Sequence, residues 1–266
     1  MSTLPSLYIS HGSPMTALNP GAVGERLAAL ATQLPRPRAI VVASAHWLTH
    51  QPAVGGHARP PTVHDFGGFP QALFDLQYPA PGDPALAGEI AARLAAAGLA
   101  AQVDPQRGLD HGAWVPLRLL YPQADIPVVP LAIQPRLGPA HQFALGRALA
   151  PLRGQGVLLI GSGSITHNLH DWGSYGQGSE AAYVRPFIGW VEQRLQADDS
   201  AALLDYRQRA PYAVQAHPSD EHLQPLHFAM GAAGDEVLGA QRIDAGIEAG
   251  FLAMDIYRFD GTARAG

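Results

Sequence analysis

Short apolar segments alternate with amphipathic segments along most of this 266-residue chain, and this alternation constrains the fold more than any other feature. The apolar segments are short and several are bounded by Gly or Pro, which is typical of buried strands. The segments between them repeat apolar residues at three- and four-residue spacing, as amphipathic helices do. We predict strands over Leu4–Ser10, Ala39–His46, Ala100–Val103, Ile126–Ile133, Val157–Ser162 and Gly250–Arg258, and helices over Val23–Leu34, Pro84–Ala97, Trp114–Tyr121, Pro139–Arg153, Glu180–Gln196 and Glu221–Ala233.

Strands that alternate with helices form βαβ units, so the pattern predicts an α/β fold with a central, mostly parallel sheet flanked by helices. No composition break or fixed-period repeat divides the chain, and we therefore predict a single domain over residues 1–266. The Pro/Gly-rich stretch over 55–83 is longer than a connector needs. We expect a lid or a binding surface there.

The composition removes whole classes of chemistry, because the chain contains neither Cys nor Lys. Thiolate nucleophiles, disulfides, Schiff bases and the P-loop amine are thereby excluded. The 17 basic residues are all Arg, and the net charge of −5 argues against binding nucleic acid or an acidic membrane through bulk charge. The N-terminus lacks the pattern of a secretory signal, so we expect a cytoplasmic protein. The 12 His residues point to metal binding or acid–base chemistry.

Three histidines lie at or beyond the ends of predicted strands, namely His11, His46 and His167. The carboxyl ends of parallel strands meet at one edge of the sheet, where ligands of open α/β folds bind. A single histidine in this position is more often a local hydrogen-bonding group than a ligand, but three together favour a shared site. Small residues beside each of them leave room for a ligand to approach closely.

A fourth group comes from Glu221 and His222, at the start of a predicted helix that Ser219 or Asp220 could cap. Neighbouring residues on a helix point about 100° apart, so only one of the pair easily faces the site. With Glu221, the set would be the two-His-one-carboxylate triad of non-haem Fe(II). With His222, it would be a three-His site suited to Zn or Fe, and the residues leave both sets open.

Two further histidines lie in predicted loops beside glycine and an aromatic residue. His64 begins the segment His64-Asp65-Phe66, and His111 follows Asp110. Such segments suit a flat substrate, although a hydrogen bond to the neighbouring Asp explains each His equally well. The Gly-x-Ser-x-Gly elbow, the dinucleotide fingerprint and the His-Glu-x-x-His pair are all missing. We interpret the remaining histidines as surface or structural residues: His50, His57, His141, His170, His217 and His227.

In their order along the chain, these motifs resemble the class III extradiol ring-opening dioxygenases of the LigB-like superfamily, specifically the 4,5-DOPA dioxygenase-like branch. One segment alone would be weak evidence for this family, whereas the ordered set of segments is highly specific for it. The similarity extends from end to end and is carried by Ser10-His11-Gly12-Ser13-Pro14, Val41-Val42-Ala43-Ser44-Ala45-His46-Trp47, His64-Asp65-Phe66-Gly67-Gly68-Phe69-Pro70, Tyr78-Pro79-Ala80-Pro81-Gly82, Asp110-His111-Gly112-Ala113-Trp114, Gly161-Ser162-Gly163, His167-Asn168-Leu169, Glu221-His222 and Pro225-Leu226.

The resemblance implies an enzyme that inserts O₂ into a catechol and opens its ring to a semialdehyde, using one divalent metal per chain. His11, His46 and His222 match the family's metal ligands. His167 matches a further active-site histidine, a ligand in zinc-loaded forms and the acid/base in turnover. His111 matches a histidine that contacts substrate or oxygen. The metal implied is Fe(II) for ring cleavage, or Zn(II) in resting protein.

We expect a small catechol and O₂ as partners, with no nucleic acid and no membrane. His64, Asp65 and Phe66 are candidate pocket-wall residues that would bind the substrate ring. An Arg is the only strong cation that could bind a substrate carboxylate. Two alternatives remain: a zinc-dependent hydrolase on the same scaffold, and a non-catalytic protein that binds metal and catechol. The sequence makes no prediction of the oligomeric state.

Overall fold

The computed structural model describes residues 3–176, 178–234 and 237–261, in which an eight-stranded sheet packs between helices. The strands, β1 to β10, span Ser6–Ser10, Ala39–Leu48, Ala53–Gly55, Gln102–Asp104, Val128–Ile133, Val157–Gly163, Val237–Ile243, Ile247–Glu248, Leu252–Ala253 and Ile256–Gly261. The helices, α1 to α10, span Gly21–Gln33, Gln71–Phe74, Pro84–Ala96, His111–Leu120, Gly138–Leu149, Val184–Gln196, Ser200–Leu204, Tyr206–Arg209, Ala213–Ala216 and Gln224–Ala232.

The strands of the large sheet are ordered β4-β3-β5-β2-β6-β1-β10-β7. The four central strands β5, β2, β6 and β1 run parallel. Antiparallel pairs lie outside them, where β3 joins β5 and where β10 joins β1 and β7. The predicted α/β fold with a mostly parallel central sheet is therefore confirmed.

The apolar strands have no exposed face because helices cover the sheet on both sides. β1 and β6 are buried along their whole length, as is typical of parallel strands. Leu27 and Leu30 of α1 belong to the core on one face, and Ile90 and Leu94 of α3 to the core on the other. Within the described residues, no helix is long and apolar enough to cross a membrane.

Helix α10 begins later than the sequence predicts. It starts at Gln224 with Pro225 in its first turn, where the missing N–H of proline costs no hydrogen bond. Neither Ser219 nor Asp220 caps it, because the N-cap position is held by Leu223 without a side-chain hydrogen bond. The prediction that Glu221 and His222 lie on the helix was therefore wrong. Their side chains are not constrained to the 100° separation of neighbouring helical residues.

Other boundaries also differ from the prediction. Helix α4 begins at His111, three residues earlier than expected, because the Asp110 carboxylate caps it by accepting from the Ala113 N–H. The segment predicted as one final strand divides into β9 and β10. The sequence pattern missed β3, β7 and β8. His111 consequently lies on a rigid helical turn and not in a loop.

Candidate active site

The histidines predicted at strand ends do lie together at one edge of the sheet. His11 directly follows β1, and His46 lies near the end of β2. His167 follows β6, the strand that separates β1 from β2. His222 reaches the same edge from the turn before α10, and its ring stacks on His167 with centroids 3.4 Å apart and planes 7° from parallel.

Three of these imidazoles direct one nitrogen each toward a common point. His11 Nε2 lies 3.1 Å from His46 Nε2, and His222 Nε2 lies 3.3 Å from His46 Nε2. The ligand atoms of these three residues all lie within 4.8 Å of one another. His167 belongs to a different cluster, with Glu221 and His222. The sequence left Glu221 and His222 open as the third member of this set. The structure groups His222, and not Glu221, with His11 and His46.

The opposite ring nitrogens fix the tautomers. His11 Nδ1 lies 3.0 Å from Ser162 Oγ, and the Ser162 hydroxyl donates to the Gly112 carbonyl. Ser162 can then only accept from His11, so the proton of His11 is on Nδ1. His222 Nδ1 lies 3.0 Å from the Glu221 carboxylate, which also requires an N–H on that nitrogen. Both rings are therefore left with a lone pair on Nε2, the atom that faces the common point.

Asp65 connects two more histidines of the site. Its Oδ2 lies 3.6 Å from His46 Nδ1, and its Oδ1 lies 3.0 Å from His111 Nδ1. The same Oδ1 accepts from the His111 backbone N–H at 2.9 Å. Partial burial opposes ionisation of the carboxyl group, but its contacts with His111 and His46 outweigh that cost and lower the pKa of Asp65 to about 2.

Four imidazoles of the site are neutral near pH 7, namely those of His11, His46, His167 and His222. Burial, followed by repulsion between neighbouring imidazoles, lowers the pKa of His11 and of His222 well below the usual value. Burial lowers the pKa of His46 to about 3 and that of His167 to about 4. Neutral imidazole is the form that binds a metal ion or accepts a proton.

The glycines of the Gly161-Ser162-Gly163 motif permit a close approach of the turn that carries His222. A Cβ on Gly161 would lie 2.0 Å from the Pro225 carbonyl oxygen, and a Cβ on Gly163 would lie 2.0 Å from the His222 carbonyl oxygen. The sequence suggested that these glycines leave room for a ligand. In the structure the room is filled by the chain's own backbone, which brings His222 to the end of β6.

A cavity of about 570 Å³ opens over the histidine cluster. Its walls combine five imidazoles and one carboxylate with apolar and aromatic side chains, and within the described residues no Arg is among them. The expected Arg contact to a substrate carboxylate is therefore not found in this wall. The lining residues are His11, Gly12, Ser13, Pro14, His46, Phe66, Phe69, His111, His167, Leu169, Trp172, Glu221, His222 and Leu252.

Of the three predicted pocket-wall residues, only Phe66 lines the cavity. His64 is engaged elsewhere, because its Nε2 lies 3.0 Å from the Leu76 carbonyl oxygen and its ring packs edge-on against Trp114. Asp65 contacts histidines and is absent from the lining. The sequence pattern of this segment did not separate the residue that faces the cavity from those that support it.

Several contributors to the site carried no usable sequence signal. Ser162 and Leu169 belong to the motifs Gly161-Ser162-Gly163 and His167-Asn168-Leu169, but no role was predicted for either. Leu169 and Trp172 enter the cavity wall from the segment after β6. Two histidines interpreted as surface or structural are fully buried: His217 Nε2 lies 2.7 Å from the Ile165 carbonyl oxygen, and His227 Nε2 lies 3.0 Å from that of Leu203. Both are structural residues outside the cavity lining.

Comparisons with known proteins agree with this geometry. Residues 5–249 match the family model described as the catalytic LigB subunit of aromatic ring-opening dioxygenase. The chain is 41% identical over 261 residues to the 4,5-DOPA dioxygenase extradiol of Beta vulgaris, with 97% of each chain covered. It is 39% identical over 255 residues to the protein of the same name from Escherichia coli K12, with 94% of this chain and 93% of the relative covered.

A solved structure supports the same assignment. The crystal structure of an uncharacterized protein from Escherichia coli K12 aligns with a TM-score of 0.79 and 33% identity, covering 96% of this chain and 99% of that one. Enzymes of this family depend on a metal, and the His-rich cluster at this edge of the sheet offers groups of side chains that could hold one. The chain therefore belongs to the LigB family of aromatic ring-opening dioxygenases and is an extradiol dioxygenase that acts on a catechol-type substrate and O₂.

Proposed function

We propose that one divalent metal is bound by the Nε2 atoms of His11, His46 and His222, and that the enzyme uses it to open the ring of a DOPA-like catechol. The convergence of three Nε2 atoms, two of which are left unprotonated by the hydrogen bonds of the opposite ring nitrogens, carries this proposal. Metal–nitrogen bonds of about 2.0–2.2 Å in tetrahedral or octahedral geometry hold neighbouring ligand nitrogens roughly 2.8–3.6 Å apart. The separations of 3.1 and 3.3 Å fit that requirement.

We propose Fe(II) as the active metal, with Zn(II) as an occupant of resting protein. When bound, Fe(II) would supply the redox chemistry with O₂ that organic molecules lack and open positions for both catechol oxygens. Both atoms of O₂ enter the product, and the carbon–carbon bond adjacent to the diol breaks to give a semialdehyde. The chain's own residues bind the ring, orient it and move its protons.

His167 is our candidate for the base that accepts a catechol proton, rather than a permanent ligand. Its ring stacks on His222, and its ligand atoms cluster with Glu221 and not with His11 and His46. Burial lowers the pKa of His167 to about 4, so the ring is neutral and ready to accept a proton at neutral pH. A negatively charged catecholate beside it would stabilise the imidazolium that results.

His111 is proposed to contact the substrate or O₂ from the other side of the cluster. Its ring centroid lies 3.8 Å from that of His46 and 5.5 Å from that of His11. The first turn of α4 and the Asp65 carboxylate hold it in place. An imidazole fixed in this way is already oriented when the substrate or O₂ arrives, so it need not reorganise.

The substrate ring is proposed to pack against Phe66. This ring lines the cavity and lies edge-on to His111, with centroids 5.8 Å apart. A DOPA-like catechol is supported by the relatives named 4,5-DOPA dioxygenase extradiol, at 41% and 39% identity. The cytoplasmic location stays a prediction.

The test measures O₂ uptake and the visible spectrum of anaerobically iron-reconstituted protein supplied with L-DOPA, protocatechuate or catechol. Stoichiometric uptake with a yellow product is expected with iron and not with zinc. His167→Ala should lower kcat by roughly 10²–10⁴-fold, whereas His50→Ala, on an exposed loop, should not. Activity with zinc that needs no O₂ would indicate a hydrolase, and metal and catechol binding without O₂ uptake would indicate a binding protein.

A further inference from the structure

We propose that this enzyme offers no cationic partner to the substituent of the catechol ring and prefers rings whose substituent is uncharged or carries an amine over rings whose substituent is a carboxylate. The inference rests on the proposed function and concerns the substrate class of the same cavity. It follows from the charges on the cavity wall.

The wall offers no strong cation to a carboxylate. The chain contains no Lys, and none of the arginines within 3–176, 178–234 and 237–261 lines the cavity. Arg107, the arginine next to the site in sequence, pairs with Asp110 and stacks on Trp47, with its guanidinium carbon 4.8 Å from the ring centroid. Whichever way the substituent points, the described wall gives it no guanidinium to bind.

The cavity wall does contain one carboxylate, that of Glu221. Glu221 lines the cavity, and its Oε1 accepts from His222 Nδ1 and from the Ser219 hydroxyl, both at 3.0 Å. These partners are an imidazole and a hydroxyl, and neither is a guanidinium. A second carboxylate brought into this cavity would be repelled, and an ammonium group would be attracted.

The rim of the cavity favours the same class of substituent. Leu169 and Trp172 line it while remaining 57% and 56% exposed, so they form its border with solvent. The Trp172 ring packs edge-on against Phe251, with centroids 5.9 Å apart. An alkyl chain gains apolar contact with such a rim, and an ammonium group gains attraction to the aromatic face. A carboxylate gains neither.

The test uses four catechols that differ only in their substituent: 4-methylcatechol, dopamine, L-DOPA and 3,4-dihydroxyphenylacetate. Binding is measured anaerobically by calorimetry on zinc-loaded protein, and kcat/KM by O₂ uptake on iron-loaded protein. We expect the acetate to bind about tenfold more weakly than dopamine, with L-DOPA between them. Equal or tighter binding of the acetate would overturn the inference.

The two readouts separate this inference from the proposed function. The expected order of binding without turnover of any catechol would refute the proposed function only. Turnover with a preference for the acetate would refute the charge preference only. Failure of all four to bind would refute both.

A charge-introducing variant tests the wall directly. Leu169→Arg places a cation at the rim and should raise the affinity for the acetate relative to dopamine by about tenfold. Val103→Arg adds the same charge on the edge strand β4, at a side chain that is 43% exposed and outside the cavity lining. In Val103→Arg, the ratio of the affinity for the acetate to the affinity for dopamine should equal that of the unmodified protein. An unchanged ratio in Leu169→Arg would contradict the inference.

Discussion

Replacing Gly163 by alanine is expected to displace His222 and to disable the enzyme. The added Cβ would lie 2.0 Å from the His222 carbonyl oxygen, whereas Cβ atoms essentially never approach another heavy atom within 3.0 Å. The turn carrying His222 must therefore retreat by about 1 Å. The obstacle is backbone, so a change of rotamer cannot relieve it.

The effect of such a displacement on rate and stability can be estimated. Misplacement by about 1 Å can cost roughly 100-fold in rate. Overpacking of a buried site typically costs about 1–3 kcal/mol of stability. We therefore expect Gly163→Ala to remain folded, to bind metal more weakly and to lose about 100-fold in kcat/KM for L-DOPA. The Ser164 N–H, which donates to the same carbonyl at 2.9 Å, should also exchange faster with solvent.

The assay compares metal stoichiometry, thermal unfolding and O₂ uptake with those of a matched control. Gly88→Ala makes the same chemical change within α3, where an added Cβ meets nothing within 4 Å. That control should gain about 0.5–1 kcal/mol of stability and keep its activity. Full metal affinity and full kcat/KM in Gly163→Ala would refute the reasoning, because they would mean that the position of His222 does not depend on this close contact.

Three further changes have expected outcomes. Asp65→Asn removes the carboxylate that contacts His46 and His111. It should weaken iron binding, measured by iron titration, or lower activity, measured by O₂ uptake, by about 10–100-fold. Unchanged values of both would contradict a supporting role of Asp65. Burial lowers the pKa of His217 to about 3, so its contribution to stability is complete above about pH 6.5 and is lost as the pH falls toward 3. In urea unfolding of apoprotein, His217→Gln should therefore lose stability less steeply than wild type between pH 6.5 and 4, and parallel curves would contradict this. Phe66→Ala should weaken catechol binding in calorimetry, and unaltered affinity would remove Phe66 from the ring-binding wall.

The α/β class and the edge of the sheet that carries the site followed from local sequence patterns. Alternating apolar and amphipathic segments report burial on both faces of a sheet, and that information is present within windows of a few residues. His11, His46 and His167 could be grouped because each follows such a segment. The start of α10 could not be located, since the position of Pro225 in its first turn outweighed the apparent caps upstream.

The tertiary structure alone decided which ring nitrogens converge in the histidine cluster, which residues support those rings and which charged groups line the cavity. Ser162 and His11 are 151 residues apart, and His222 and His46 are 176 apart. The glycines of β6 serve this long-range packing, because they admit the turn that carries His222. The sequence determined which chemical groups were available and, through periodicity, the edge of the sheet at which they meet. Local patterns left Glu221 and His222 open, and only the resemblance to a family implied His222. The folded chain groups His222 with His11 and His46 and keeps arginine out of the described cavity wall, because hydrogen bonds and packing between distant segments leave no trace in local periodicity.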